Sequence, residues 1–356
     1  MKKLYHLIFA AALIVTALNA RAQSNNNDNG DDGFNQLIRS TPADATKLVQ
    51  AYAEPLFKGF GIGLNSGWSN TAKTKKLLHF DLRITANVAM VPSSDKSFDV
   101  RNIGLSNHVT VDASSSTTLA PTIGGDKDAA TPVMRINDDN GNKIGSFTMP
   151  KGQVPVIPAP NIQLTVGLVH NTDLTIRTIP TIHISDDIGS VSMVGFGIKH
   201  DIIQDFAKHA PKPFDLALAI NYNRISYSKP MDVQPDAGTT AAPGQSTDFS
   251  NQHIDATFSG VNFQAILSKK LLFFTPFAAI AYQTAKTDFG VLGNYPIKAT
   301  NTTYTTVTDP VHINETSVSG LRADVGFQLN LAILRIYASV STGQYVSGNA
   351  GIGLGF

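Results

Sequence analysis

The chain has 356 residues, with 28 Lys+Arg against 27 Asp+Glu, and only 15% of its residues are charged, against about 25% in a soluble globular domain. The balanced charge leaves no cationic excess to neutralise a phosphate backbone, which argues against nucleic-acid binding. It has no cysteine, which excludes a disulfide framework, a thiolate metal site, a cysteine nucleophile and a lipid anchor on cysteine.

Lys2 and Lys3 precede an apolar stretch from Leu7 to Leu18, and Ala20-Arg21-Ala22 follows with small residues at the two positions a signal peptidase reads. This pattern predicts a secretory signal peptide over 1–22, cut before Gln23. The stretch is too short to cross about 30 Å of hydrocarbon as a helix, and no later run of 18 apolar residues exists. Residues 23–40 open with a Ser/Asn/Asp/Gly-rich stretch and read as a disordered linker. A helix is expected next, capped by Thr41 with Pro42 at its first position and Leu48, Val49, Tyr52 and Leu56 as apolar contacts. Gly59 to Ala72 is glycine-dense, but it has no phosphate-loop spacing and no closing basic residue.

Strict period-two alternation then begins. Over 79–91, Phe80, Leu82, Ile84, Ala86, Val88 and Met90 share one face, and His79, Asp81, Arg83, Thr85 and Asn87 share the other. Such a strand is long enough to cross a bilayer. Further strand candidates end near 169 and cover 173–184, 190–199, 214–227, 253–267, 272–285, 317–329, 332–342 and 346–356, although Leu271–Tyr282 is apolar on both faces and favours neither a barrel nor a sandwich. Either a soluble sandwich or a membrane barrel alternates in this way. The connections separate them. His170-Asn171-Thr172, Ser268–Leu271 and Asn330 mark tight turns, whereas 92–159, 228–252 and 286–315 are long and polar. Threading the strands in order puts every long connection on one side and the tight turns on the other, the asymmetry of an outer-membrane barrel. His200 to Pro213, with Ile202, Ile203 and Phe206, reads as a short periplasmic helix on the inner side.

The fold expected is therefore all-β: a transmembrane antiparallel β-barrel of about 12 strands, within a range of 10–14. Ten strands are enumerated above. The extra pair is sought in 92–159, where Ser97–Val100, His108–Asp112 and a hairpin centred on Asn140-Gly141 carry strand signals. The domain division is 1–22 signal peptide, 23–40 linker, 41–75 helix and lumen segment, and 76–356 barrel.

The chain ends Asn349-Ala-Gly351-Ile-Gly-Leu354-Gly-Phe356. This resembles the signal that the barrel-assembly machinery reads in the last strand of outer-membrane proteins, and it implies that machinery as a partner during biogenesis. The glycine-dense stretch ending Asn70-Thr71-Ala72, the segment Val194-Gly-Phe-Gly-Ile-Lys-His200 with the helix after it, Phe214-Asp-Leu216 and the glycine-rich aromatic C-terminus together resemble the FadL-like family. These are transporters of long-chain fatty acids and hydrophobic compounds in Gram-negative outer membranes. That family carries Asn-Pro-Ala where this chain has Asn70-Thr71-Ala72, without the proline. The resemblance implies an N-terminal hatch within the lumen, a hydrophobic small-molecule ligand, and outer-membrane lipid around the barrel.

Catalytic patterns are absent: no G-x-S-x-G and no H-E-x-x-H occurs. The histidines, among them His79, His183 and His209, have no familiar metal spacing, although His79 and His183 share the polar phase of their strands. Asp138-Asp139-Asn140-Gly141 is better read as a hairpin turn than as a calcium loop, because Ile136 falls on the first ligand position. No enzyme, metal or cofactor is expected. Asp81, Arg83, Arg177, Asp215, Arg322, Asp324 and Arg335 all take the polar phase, and interior charge requires pairing. The leading expectation is passive uptake of small hydrophobic molecules past a hatch formed by 41–75. The alternatives are an adaptor barrel that holds a partner protein at the cell surface, an open general porin and, more distantly, a hydrolase.

Overall fold

The computed structural model describes residues 33–186, 188–206 and 213–356. The expected signal peptide, the linker ahead of Gly33, and His209 lie outside the described residues. Ten strands form the wall: β1 (Phe80–Met90), β2 (Asn161–Gly167), β3 (Thr172–Ser185), β4 (Gly189–Asp201), β5 (Asp215–Pro230), β6 (His253–Ser268), β7 (Phe274–Leu292), β8 (Val311–Leu331), β9 (Leu334–Thr342) and β10 (Ser347–Gly355). Each pairs antiparallel with its sequence neighbours, and β10 pairs with β1 from Asp81↔Gly355 to Ala89↔Ser347, which closes the sheet. Closure leaves no edge with unpaired backbone groups, the requirement for strands in lipid. At the seam the Phe80 and Phe356 backbones exchange both hydrogen bonds (3.1 and 2.9 Å), and their rings lie 5.2 Å apart.

The barrel has ten strands, the lower end of the expected range of 10–14. Val133–Asn137 and Lys143–Thr148 do form the hairpin, with Gly141 at φ +80°, but they pair with Val109–Val111 as a separate three-stranded sheet. Their apolar residues Met134, Ile136 and Phe147 have their own core to join outside the lipid, so nothing draws them into the wall. Ser97–Asp99 pairs with Leu119–Pro121, and Asn294–Lys298, Thr303–Thr308 and Thr240–Ala241 make a third small sheet. These pieces cap the end of the barrel that carries the long connections. Val156–Pro158 adds a short strand that continues the β2 edge of β1 beyond Ala159–Pro160.

Inside the wall, the two faces exchange character partway along β5 and β6. The lower half of β6 turns Asn262 and Gln264 inward and Val261, Phe263, Ala265 and Leu267 outward. Its upper half turns Ile254, Ala256 and Phe258 inward and Asp255 and Thr257 outward. β5 does the same: Asn221 and Asn223 give way inside to Ile225, and Ile220 and Tyr222 give way outside to Arg224, Ser226 and Ser228. The lower half is built for lipid, with an apolar exterior and a polar lumen. The upper half has the ordinary phase of a protein in water. The strands thus rise out of the membrane as the wall of the cap, and no helix among the described residues is long and apolar enough to cross on its own.

Two helices precede β1, α1 (Gly33–Leu37) and α2 (Pro42–Asn65). Gly33–Leu37 of the expected linker is helical, and Leu37 and Ile38 are buried. Thr41 stands at the cap position, but its hydroxyl donates to Asp44 Oδ2 (2.9 Å) and caps no backbone amide. The glycine-dense stretch also differs from the reading above, because Gly59 to Asn65 is the last two turns of α2. At 1.5 Å per residue α2 is about 36 Å long, and it packs against β8, β6, β7, β1 and β5 inside the barrel.

Glycine costs about 1 kcal/mol against alanine in a helix, and its use here is steric. Gly59 and Gly63 lie on one face of α2, where a Cβ would run into Ile157 and Ala159. Gly61 lies on the opposite face, where a Cβ would come within 2.7 Å of Ala285 and 2.8 Å of Val318. Opposite walls therefore touch the helix backbone at the same level, and any side chain would keep it out.

Candidate functional site

An α-helix ends with carbonyls that lack intrahelical partners and carry a partial negative charge. At the end of α2 these carbonyls lie within the barrel, and the wall answers them with cations. Arg177 on β3 is fully buried; it donates through Nη1 to Leu64 O (3.1 Å), through Nη2 to Ser66 O (2.9 Å) and through Nε to Gln163 Oε1 (2.9 Å). Its guanidinium lies 3.8 Å from the centre of the Trp68 ring. Arg177 has no carboxylate partner among the described residues, so the helix end and the indole face are what offset its charge. Arg322 on β8 donates to Asn65 O (2.9 Å) and Gln283 Oε1 (2.8 Å), and grips Asp324 with two bonds (2.7 and 3.0 Å). Asn262 adds a second donor to Asn65 O (2.8 Å).

Below the helix, 66–79 runs on through the lumen. Arg83 donates to Trp68 O (2.7 Å), and Gln163 shares that acceptor (3.2 Å). Asn70 is buried and, with its amide turned to satisfy both ends, accepts from Arg83 Nη1 (2.6 Å) and donates to Ser69 O (3.1 Å). Lys199 Nζ reaches Thr71 O (2.9 Å), Lys73 O (3.1 Å) and Asp173 Oδ2 (3.1 Å). The Ala72 amide donates to Ser268 Oγ (2.9 Å), and its methyl packs among Ala217, Ala219, Ile266, Phe277 and Ala279. Asp81 collects Arg335 (3.1 Å), Lys75 (3.7 Å), Arg83 (3.9 Å) and the Tyr337 hydroxyl (2.9 Å).

The sequence-selected residues thus fall in several places. Arg83, Arg177, Arg322 and Asp324 surround the end of α2 together with Asn70. Asp81 and Arg335 form a second group lower down, and Asp215 is half-buried at the lower end of β5. Thr71 and Ala72 lie against Ser268 and Lys199. At the seam, Asn349 bonds Asn87 inside, a Cβ at Gly351 would strike Ile84 O, and Leu354 and Phe356 face outward. His79 and His183 are both exposed, one before β1 and the other at the top of β3, so neither lines the lumen. The pleat reading began β1 one residue early at His79, whereas His183 lies in the upper part of β3, where the polar phase faces outward. Lys199, Asp173, Gln163 and Asn262 were missed as partners, although each takes the polar phase of its strand. Trp68, the single tryptophan, carried no periodic signal.

The upper half of α2 is held differently. Asp44, fully buried, accepts from the Ser106 amide (2.8 Å) and hydroxyl (2.5 Å), Arg39 pairs with Asp236 (2.7 Å), and Tyr52 donates to Lys151 O (3.0 Å). Leu48, Val49, Tyr52 and Phe57 enter one apolar core with Ile225, Ile254, Phe258, Phe289 and Ile313 of the upper wall and Met134 and Phe147 of the cap. At the rim Lys58 pairs with Asp95 (2.9 Å), which also accepts from the Tyr345 hydroxyl (2.8 Å). Burial pushes the Asp95 pKa up, but the bonds from Lys58, Tyr345 and Ser94 outweigh it and hold the carboxyl below its usual range. A cavity of about 530 Å³ opens on the outer surface of the upper wall, lined by Ser192, Ser226, Asp255, Thr257, Asp288 and His312, away from the lumen. No group of three metal-ligating side chains occurs among the described residues.

A closed antiparallel barrel with an apolar lower belt, filled by its own N-terminal helix, defines an outer-membrane-type β-barrel with a plugged lumen. The sequence matches, over residues 1–356, the family described as "Family of unknown function (DUF6588)", and the chain belongs to that family. No curated protein matches the sequence. Among solved structures the chain is similar to the outer membrane protease OmpT of Escherichia coli (8% identity, TM-score 0.32, covering 82% of this chain and 100% of that one). It is also similar to Ail, the attachment invasion locus protein of Yersinia pestis (9%, TM-score 0.23, 78% and 98%), and to a mutant of the Rh. blastica porin (10%, TM-score 0.18, 79% and 99%). The fold rests on the closed sheet itself, and no activity passes from these proteins to this chain.

Proposed function

We propose that this protein is a closed outer-membrane anchor that holds its cap at the cell surface for a partner protein. The observation that carries this reading is the clamp of Arg177, Arg322 and Asn262 on the last carbonyls of α2. It fixes a helix along the axis where a porin keeps water. The cap shares one core with that helix, so the barrel, plug and cap are a single rigid support. No catalytic step enters this reading.

Passive uptake of a hydrophobic compound, the function implied by the FadL-like resemblance, stands as the second reading. Its support is the position of Asn70-Thr71-Ala72, which lie in the lower lumen as a hatch would, held by hydrogen bonds from Arg83 and Lys199 and by one from the Ala72 amide to Ser268. Uptake requires this segment and the clamp to yield together. Planar-bilayer conductance of the refolded protein, with and without residues 23–75, tests both readings. The anchor predicts silence in the full chain and steady current after the deletion. Steady current in the full chain would defeat the anchor. Current opened in the full chain by added fatty acid would favour uptake.

A further inference from the structure

The direction of α2 carries a consequence for the sidedness of the chain. Its first turn lies in the cap through Asp44–Ser106, as does the segment just ahead of it, through Arg39–Asp236 and the bond from the Thr148 amide to Gln36 Oε1 (3.2 Å). Its last turn lies at the level of Arg177 and Arg322, well down the lumen. The chain then reaches Lys75 beside Asp173, at the lower start of β3, and enters β1 at Phe80 opposite Phe356. Between Gly33 and Phe80 the polypeptide therefore runs through the whole barrel, from the end with the long connections to the end with the tight turns. Long loops face outward and short turns face the periplasm in barrels of this type. A hatch that merely enters from the periplasm would begin and end on the lower side. This one begins on the upper side.

We propose that the barrel carries its own N-terminal segment across the membrane and displays it on the outer surface, with α2 as the part left in the lumen. Threading explains why the helix is pared to glycine at 59, 61 and 63, where opposing walls meet its backbone. It also explains why the carbonyl clamp sits at the trailing end of the helix. There the guanidinium N–H groups of Arg177 and Arg322 that Gln163 and Asp324 do not take, with the Asn262 amide, meet the carbonyls of Leu64, Asn65 and Ser66 when these reach their level, so the clamp reads the arrival of the right residues and stops the chain. A segment joined ahead of Gly33 would be displayed with it. This inference goes beyond the anchor reading, because the exit side follows from helix direction whether or not the cap binds a partner.

The natural absence of cysteine makes the test direct. Single cysteines are placed in the full chain at Asn27→Cys, ahead of the described residues, and at Ala43→Cys, exposed in the first turn of α2. Lys127→Cys in the cap and Lys270→Cys in the turn between β6 and β7 mark the two sides. Intact cells are treated with a membrane-impermeant maleimide, then compared with cells whose outer membrane has been permeabilised. The expected result is that Asn27→Cys and Ala43→Cys label on intact cells to the same extent as Lys127→Cys, while Lys270→Cys labels only after permeabilisation. Labelling of Asn27→Cys only together with Lys270→Cys would overturn the proposal. So would protection of Lys127→Cys and Ala43→Cys on intact cells. Ala43→Cys keeps the test decisive if processing removes residue 27. Bilayer conductance tests the anchor separately, so failure of one reading is distinguishable from failure of the other.

Discussion

The upper and lower halves of the lumen hold the same helix by opposite means. Above, Leu48, Val49, Tyr52 and Phe57 are buried among Ile225, Ile254, Phe258, Phe289 and Ile313, and such contact is non-directional and scales with area. Below, the contact consists of hydrogen bonds from fixed donors to particular carbonyls, with Arg177 and Arg322 buried to make them. A slide of one turn, about 5.4 Å, would exchange one apolar neighbour for another in the upper half. The same slide would take the helix-end carbonyls away from two buried guanidinium groups. The apolar half thus holds the helix in, and the cationic half sets where it stops.

The largest expected effect comes from denying the helix its place. In Gly63→Leu the side chain would enter the wall at Ala159, and the plug would be kept out. Such a barrel conducts steadily in a bilayer where the natural protein is silent; persistent silence with a correctly closed barrel would show that the walls yield at this level. Arg177→Met is next. It removes the donors to Leu64 O, Ser66 O and Gln163, and a buried acceptor left without a donor costs about 1–3 kcal/mol. The expected result is intermittent current and a lower thermal transition of the folded barrel. Arg177→Lys should recover only part of this, because an ammonium cannot reproduce the planar fork or its stacking on Trp68.

The wall was legible in the sequence because lipid and lumen impose a two-residue period on most of its strands; β7, apolar on both faces over Phe277–Tyr282, is an exception. The strand number was harder, since the hairpin at Asn140-Gly141 carries the same local signal in a cap as in a wall. The phase exchange along β5 and β6 was in plain view in the residue order. It becomes interpretable only once one half of each strand is known to stand in lipid. The lumen charges at Arg83, Arg177 and Arg322 were found by phase alone, but pairing with carboxylates was expected, and Arg177 is satisfied by backbone carbonyls that no residue type announces. The helical state of Gly59–Asn65 was hidden for a related reason. Local propensity opposes it, and the close walls at Ile157, Ala159 and Ala285 that require glycine come from distant parts of the chain.

A substitution in the upper half should behave differently from Arg177→Met. Leu48→Ala removes buried apolar volume at a cost of about 2–5 kcal/mol and touches none of the donors that set register. The thermal transition should fall while the bilayer stays silent. Current in Leu48→Ala would mean that the apolar core also positions the plug, and the division between the two halves would fail.

The smallest effect is expected at the boundary between the halves, where Lys58 of α2 meets Asp95 and Tyr345. The Asp95 carboxyl lies below its usual range when folded, so its contribution is complete above the ordinary carboxylate pKa of about 4 and is lost as pH falls through the lower folded value. Other acids titrate in the same interval, so the comparison needed is between the natural protein and Asp95→Asn. The thermal transitions of the two should differ at pH 7 and converge as the pH falls below about 4, because protonation then does to Asp95 what the amide already does. A constant difference across that range would mean that the Asp95 charge adds nothing to the hold on Lys58. The rim would then act through packing alone, as the core above it does.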